Sequence, residues 1–336
     1  MNVLSLCDGM SCGHIALDKA GIEVDKYFAA EIKEVGIRVT KDNYPDTIHI
    51  GDVNRISFSN GILHTEVGDY NIGHIDIVMF GSPCQTFSIA MKEELRTGLL
   101  NKEKSGLFLE CHRILKEVNP TYFFMENVGS MKNSDRDFIS SLMGVEPIRI
   151  NSALVSAQLR DRYYWTNIPG ASIPEDKGIT FQSILENGFT DREKARCLLV
   201  SESRPLMSNT KRFHRYTTCG FINLIFDNEE SFEKIKSFHN ENYKGRNAKD
   251  VPAHSDSPYD HIRMLTQTEM ERLQTVPEGY TKCLTRNEAA DVLGDGWTVD
   301  VIAHIFKGIK ADIRVISTTN KVENRGNNWL DDLLSE

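Results

Sequence analysis

The stretch Ile75-Asp-Ile-Val-Met-Phe-Gly-Ser-Pro-Cys-Gln-Thr-Phe-Ser88 decides the fold of this chain. Its first half is a short apolar run that reads as a buried strand. Its second half turns tightly on Gly81 and Pro83 and presents the Cys84 thiol at the strand end. In an open α/β sheet, ligands and reactive groups gather at strand ends. A thiol there acts as a nucleophile if one neighbour lowers its pKa and another polarises its target. One strand later, Tyr122-Phe-Phe-Met-Glu-Asn-Val128 brings the carboxyl of Glu126 to a second strand end.

Outward from these two strands the chain alternates strand and helix patterns over about its first 165 residues. Strands are expected at 3–7, 27–30, 48–50, 75–80, 122–125, 147–151 and 163–167. Helices are expected at 12–20, 32–43, 106–118 and 135–143. That rhythm predicts a doubly wound, mostly parallel α/β sheet covered on both faces. After Pro169-Gly170 the rhythm is lost until about residue 261. This stretch is polar and carries scattered cations: Arg192, Lys194, Arg196, Arg204, Lys211, Arg212, Arg215, Lys244, Arg246 and Lys249. A helix is then expected over 265–273. Another, over 297–310, is apolar enough to need a sheet to cover. The organisation read from this is a catalytic domain over 1–170 and a second, smaller domain over 171–261. Residues 262–316 return to complete the first domain, and 317–336 form a polar tail.

Composition narrows the class. Hydrophobic residues make up 40% and charged residues 26% of the chain, as in ordinary globular proteins. No apolar run approaches the roughly 20 residues that span a bilayer. The N-terminus has no signal-peptide pattern. The seven cysteines form no Cys-x-x-Cys pair, so neither a structural zinc nor any other metal is expected. Their odd number, without a secretion signal, points to reduced thiols in a cytoplasm. A net charge of −9 argues against a protein that coats nucleic acid, while leaving room for a local basic cleft.

Three successive strand ends carry a second pattern. Leu6-Cys-Asp-Gly-Met-Ser-Cys-Gly13 joins the first strand to the first helix with small residues that let a ligand approach the backbone. Glu31 ends the second strand, where an acid grips ribose hydroxyls. Asp52 ends the third, placed to accept from an adenine amino group. A Gly-rich turn, Glu and Asp in this order suit an adenosyl ligand, and no Gly-Lys-Ser/Thr is present for a phosphate loop.

On these motifs the chain resembles the cytosine-C5 DNA methyltransferases that use S-adenosylmethionine. The resemblance runs in order through Asp8-Gly9 and Gly13, Glu31, Asp52, Pro83-Cys84-Gln85, Glu126-Asn127-Val128 and Gln158-Leu-Arg-Asp-Arg162. It continues with Arg263-Met-Leu-Thr-x-x-Glu-x-x-Arg-Leu-Gln274, Pro277 and Gly294-Asp-Gly-Trp-Thr-Val299. Ser5–Gly9 and Val155–Ala157 also resemble the eukaryotic de novo branch and its phage-like relatives, and the small variable region suits a compact phage or bacterial enzyme of restriction-modification type. The resemblance implies catalytic roles for Cys84, Glu126, Arg160 and Arg162. It implies cofactor contacts from Cys7, Asp8, Gly9, Met10, Gly13, Glu31, Ile32, Asp52, Val53, Ser82, Pro83, Leu107, Gly296, Trp297 and Thr298. Gln85, Ser88, Gln158, Arg212, Arg215 and Arg263 are the implied DNA contacts. The partner is double-stranded DNA, bound by a monomer, with the variable 171–261 region as the target-recognition domain.

The implied chemistry makes sense of the residue types. Cytosine C5 is a poor nucleophile, and addition of the Cys84 thiolate to C6 turns the ring into an enamine that can take a methyl group. Glu126 stabilises the adduct at the N3 and amino edge. Arg162, with Arg160, holds the carbonyl or a nearby phosphate. The base must leave the duplex to be reached, and the loop 86–99 is expected to close over it. Two positions depart from the family. Cys7 stands where an aromatic is usual, which opens space by the sulfonium and would admit a carboxylated donor. Asp295 stands where Asn is usual, and would repel such a donor. Transfer of a carboxymethyl group, an inactive DNA-binding relative and a tRNA cytosine methyltransferase are the alternatives. Intact Cys84, Glu126 and Arg162 speak against the second, and the lack of a Cys-Phe-Thr signature speaks against the third.

Overall fold

The computed structural model describes residues 1–82, 107–198, 208–218, 220–252 and 258–312. Its centre is a seven-stranded sheet built from β1 (Asn2–Leu6), β2 (Lys26–Ala30), β3 (Ile48–His49), β7 (Ile77–Gly81), β8 (Tyr122–Val128), β9 (Ile148–Asn151) and β11 (Asp161–Thr166). The strand order is β3-β2-β1-β7-β8-β11-β9. Neighbours from β3 to β8 run parallel, and β11 is antiparallel to both β8 and β9. The expected doubly wound, mostly parallel sheet is therefore present.

Side chains alternate across the sheet. Val3, Ile77, Met79, Phe124 and Tyr164 enter one apolar core, while Leu4, Leu6, Val78, Phe80, Met125 and Trp165 enter the other. Helices α1 (Cys12–Ala20) and α2 (Glu34–Asn43) follow β1 and β2. Helix α3 (Leu107–Val118) buries Phe108, Cys111, Ile114, Leu115 and Val118 in the second core. Each such side chain contributes about 1.5–3 kcal/mol. Helix α4 (Asn133–Met143) joins the same face through Ile139 and Met143. The first helix matches its expected bounds. Gly21 ends it in a left-handed conformation, its N–H reaching the carbonyls of Asp18 and Leu17.

One element escapes the hydrophobic pattern. Between β3 and β7 lies an antiparallel meander of β4 (Ser57–Ser59), β5 (Ile62–Thr65) and β6 (Gly68–Asn71). Its residues are mostly polar, so no run of apolar side chains announces it. Asn60-Gly61, both left-handed at φ 52° and 76°, are the two residues of its first hairpin turn. Asn-Gly is the local signal that would have found it.

On either side of β11 in the chain, the short strands β10 (Gln158–Leu159) and β12 (Ala195–Arg196) pair in parallel. Ile184, Ala195 and Leu198 pack into the large core. A separate small core holds Phe213, Tyr216, Phe226, Phe232, Ile235 and Tyr259. It is formed by α5 (Asn209–Thr218), β13 (Ile225–Phe226), α6 (Glu229–Tyr243) and β14 (Ile262–Arg263). Helices α7 (Gln267–Gln274) and α8 (Arg286–Asp295) each start on a capping box, Thr266 with Glu269 and Thr285 with Glu288. The last helix, α9 (residues 299–312), buries Val301, Ile302, Ile305, Phe306 and Ile309 against the sheet, as its apolar sequence requires. No helix among the described residues is long and apolar enough to cross a membrane. The expected polar tail 317–336 lies outside the described residues.

Candidate active site

The strand ends build the site. Glu126 pairs in register with Gly81, one step beyond Leu6 and Phe80, so it stands at the rim of the sheet. Arg162 sits on the antiparallel β11 opposite Val128, and Tyr164 sits opposite Glu126. Side chains two apart share a face, so Arg162 reaches diagonally to Glu126, with Nε 2.7 Å from Oε1. Both side chains are nearly buried, at 13% and 11% exposure. Next to Glu126, the buried Asn127 donates to Ser82 Oγ at 3.2 Å and so ties the end of β8 to the end of β7. Pro83-Cys84-Gln85 follow Ser82 directly in sequence. Pro83, Cys84, Gln85, Ser88 and the loop 86–99 lie outside the described residues.

The β1–α1 turn is held from the second strand. Glu31 accepts from Gly9 N–H at 2.7 Å with one oxygen, and from the Ile32 and Lys33 N–H groups at 2.8 Å with the other. Asp52 caps the short turn after β3 by accepting from Asn54 N–H at 3.0 Å. Its own N–H donates to Glu66 of the meander at 2.9 Å. Gly9 is left-handed at φ 63°, and a Cβ there would meet nothing within 4 Å, so the turn has an open face. Ile32 lies beside it, 71% exposed. Trp297 packs edge-on to Phe124 at 5.3 Å and lies so close to Gly81 that an added Cβ would sit 2.6 Å from its Nε1. Gly9, Glu31 and Ile32 thus lie together at the ends of β1 and β2, and Trp297 lies against the end of β7.

Other residues expected at the cofactor turn inward. Asp8 accepts from Tyr27 OH at 2.7 Å and from Ser11 Oγ. Burial raises its carboxyl above the ordinary range against those hydrogen bonds. Met10 and Thr298 are buried, Met10 in the large core and Thr298 bonded to Gln274 at 3.0 Å. An added Cβ on Gly13 would collide with Met79, so Gly13 serves helix-to-sheet packing. Val53 and Leu107 pack on the second core. Cys7 also packs there, and its thiol hydrogen-bonds Cys111; this bond, then burial, raises the Cys111 thiol well above the ordinary range. The space an aromatic would take at Cys7 is therefore not simply open.

Three of the expected site residues are engaged inside the protein. Arg160 is 3% exposed and points into the protein. Its guanidinium donates to the carbonyls of Gly296 at 2.7 Å and of Gly294 and Leu198 at 3.3–3.4 Å, so it fastens the turn that carries Trp297. Gln158, expected at the DNA, is fully buried and bonds Leu273 O, Gln274 and Leu198 N–H. Arg263 is spent on the fully buried carboxylate of Glu269 at 2.7 Å and on Asn187. Two of the scattered cations are also internal. Lys194 donates to the carbonyls of Ala153, Ser156 and Ile179, and Arg192 lies 3.7 Å above the Tyr216 ring. Arg212 and Arg215 stay partly exposed on α5, Arg212 bonded to Asn209 at 2.9 Å.

The sequence reading missed Cys197. Its thiol lies 3.3 Å from Arg160 Nη1 and 3.9 Å from Arg162 Nη2. Burial alone would raise it, but the charges of Arg160 and then Arg162, with their hydrogen bonds, hold it below the ordinary thiol range. Nothing local in Ala195-Arg-Cys-Leu198 marks this, because both arginines arrive from another segment.

Comparison with known proteins agrees with this geometry. The family model for C-5 cytosine-specific DNA methylase matches residues 1–143 and 156–311. The type II methyltransferase M1.ScrFI of Lactococcus lactis subsp. cremoris is 26% identical over 304 residues, 83% of this chain and 70% of that enzyme. The type II methyltransferase M.NgoBV of Neisseria gonorrhoeae is 36% identical over 121 residues, 36% of this chain but only a quarter (25%) of that enzyme. Among solved structures, Spodoptera frugiperda DNMT2 superposes with a TM-score of 0.60 at 18% identity, covering 91% of this chain and 98% of that one. A putative DNA modification methyltransferase encoded within an Escherichia coli prophage gives 0.57 at 19%, covering 93% and 99%. These low-identity likenesses carry the fold, and the family match carries the kinship: the chain belongs to the C-5 cytosine-specific DNA methylase family.

Proposed function

We propose that this protein transfers a methyl group from S-adenosylmethionine to C5 of a flipped-out cytosine in double-stranded DNA, through a covalent bond between Cys84 and C6. The observation that carries this is the buried Glu126–Arg162 pair at the strand rim, tied through Asn127 and Ser82 to the segment that bears Cys84. The cleft of Gly9, Glu31, Asp52 and Trp297 fits the cofactor, because it has an open backbone face and acids at the second and third strand ends. When bound there, S-adenosylmethionine supplies an electrophilic methyl group on its sulfonium.

The residues of this chain do the rest. Cys84 adds to C6 and makes C5 nucleophilic. Glu126 accepts from the cytosine amino group and stabilises the ring as charge moves onto it. Arg162 holds Glu126 in place and presents the rest of its guanidinium to the pyrimidine carbonyl. Loss of the C5 proton to water re-forms the C5–C6 double bond and expels the Cys84 thiolate, freeing the product. The partly exposed cations of α5 and the small core around it supply the DNA contacts, and a monomer suffices for this chemistry. Asp295 forms an ion pair with Lys33. That pair is neutral, so among the described residues it offers no surplus positive charge to a carboxylated donor, which favours the ordinary one.

The test is methyl transfer from labelled S-adenosylmethionine to duplex DNA, with the modified positions read by sequencing. Wild type should place 5-methylcytosine in DNA, and Cys84→Ser should place none. Transfer by Cys84→Ser at the wild-type rate, or by wild type to RNA alone, would overturn the proposal.

A further inference from the structure

The proposed catalytic pair does not stand alone in the protein. Among the described residues, Arg160 and Arg162 bring two guanidinium charges into a nearly buried cluster, and the carboxylate of Glu126 pairs with Arg162. Burying an unbalanced charge is costly, so a second anion is favoured close by. Cys197 lies against both guanidiniums, at 3.3 Å and 3.9 Å. Its neighbours Asp161, Cys12 and Tyr164 do not fill that role. Asp161 is held by Arg149 at 2.5 Å. Burial pushes the Cys12 thiol up to about 12 and raises the Tyr164 hydroxyl, so both stay neutral.

We propose that Cys197 is a thiolate that balances the Glu126–Arg162–Arg160 cluster and holds Arg162 in the orientation Glu126 needs, a positioning residue for the transfer reaction. This rests on the function proposed above. It ties the segment after β12, which ends at Arg196, directly to the catalytic rim. No bond to this thiolate forms or breaks in the reaction.

Two measurements separate this inference from the reading it rests on. The first needs no activity. In full-length protein carrying Cys84→Ser, thiolate absorbance near 240 nm is followed against pH, with and without Cys197→Ser. The difference should show one thiol ionising below the ordinary value of about 8.5. A difference that appears only at or above that value would overturn the proposal. If Cys197→Ser does not fold, Cys197→Ala supplies the same difference. The second measures turnover in the Cys84 background of the wild type. Cys197→Ser should lower kcat by roughly tenfold or more, the scale of one charged hydrogen bond, with KM for S-adenosylmethionine unchanged. Cys197→Asp should restore part of the loss and move the acidic limb of the pH profile to lower pH, which a packing role would not do. Wild-type kcat in Cys197→Ser would refute the positioning role while leaving methyl transfer intact. If wild type itself transfers no methyl group, the reaction fails, and the absorbance titration still decides the state of Cys197.

Discussion

At the residue scale, Glu126 and Glu31 occupy equivalent strand ends and have separate duties. Glu126 faces a cation across the sheet, whereas Glu31 spends both oxygens on backbone N–H groups. Glu126→Gln keeps the shape but loses the anion that Arg162 opposes. Its turnover should fall by about 10²–10³, the effect of removing one preorganised electrostatic group, with cofactor affinity nearly unchanged. Single-turnover transfer to DNA checks this, and a loss smaller than threefold would take Glu126 out of the chemistry. Glu31→Ala releases three N–H groups at once. Binding of S-adenosylhomocysteine, measured by calorimetry, should weaken by about 1–3 kcal/mol, and equal affinity would place the cofactor elsewhere.

At the element scale, the cleft depends on how closely its supports approach. Gly36 of α2 lies under the β1–α1 turn, where a Cβ would come within 2.2 Å of the Gly9 carbonyl oxygen. Gly36→Ala must push helix from turn. We expect a loss of about 1–3 kcal/mol in unfolding free energy together with weaker cofactor binding, although residue 36 makes no ligand contact. Arg263 shows the opposite case, a cation whose partner is internal. Glu269 is drawn in by burial that would raise its carboxyl, yet Arg263 and the N–H groups of Thr266 and Glu186 hold it below the ordinary range. Arg263→Ala leaves that carboxylate buried without its cation, at a cost of about 3–5 kcal/mol. Denaturant unfolding should show this, with the salt dependence of DNA binding unchanged. Because the folded pKa of Glu269 is depressed, its contribution is present above the unfolded value of 4.5 and is lost as pH falls through the folded value.

At the scale of the whole molecule, the two cores of the central sheet and a smaller separate core share one chain. The small core contains a buried chain of hydrogen bonds, His214 to His239 at 3.1 Å and His239 to Tyr259 at 2.8 Å. Burial and the neighbouring His214 lower His239 to about 4. Below the unfolded value near 6.5 the unfolded chain binds a proton that the folded small core refuses. Stability there should therefore be full above pH 6.5 and fall between 6.5 and 4. Hydrogen exchange at helices α5 and α6 over this window should rise before exchange in the central sheet, and a uniform rise would refute it. The packing also suggests where to cut. Residues 171–198 add Ile184, Ala195 and Leu198 to the large core, whereas 213–262 close a core of their own. Grafting 208–262 from a relative should shift the methylated sequence context and keep activity. An active chimera with the original context would refute target recognition by this unit.

The sequence by itself determined the sheet and the strand ends near which Gly9, Glu31, Asp52 and Glu126 lie. These follow from local periodicity and from turn residues, which act over a few positions. It also marked α9, since so apolar a helix needs a cover. It did not determine which polar residues are used up inside. Gln158, Arg160, Lys194 and Arg263 read as surface or substrate-facing groups, and each is satisfied by carbonyls or carboxylates from segments far along the chain. The same holds for Cys197, whose ionisation depends on two arginines that only the fold brings to it. Desolvation and charge balance depend on distance in space, and sequence spacing does not record them.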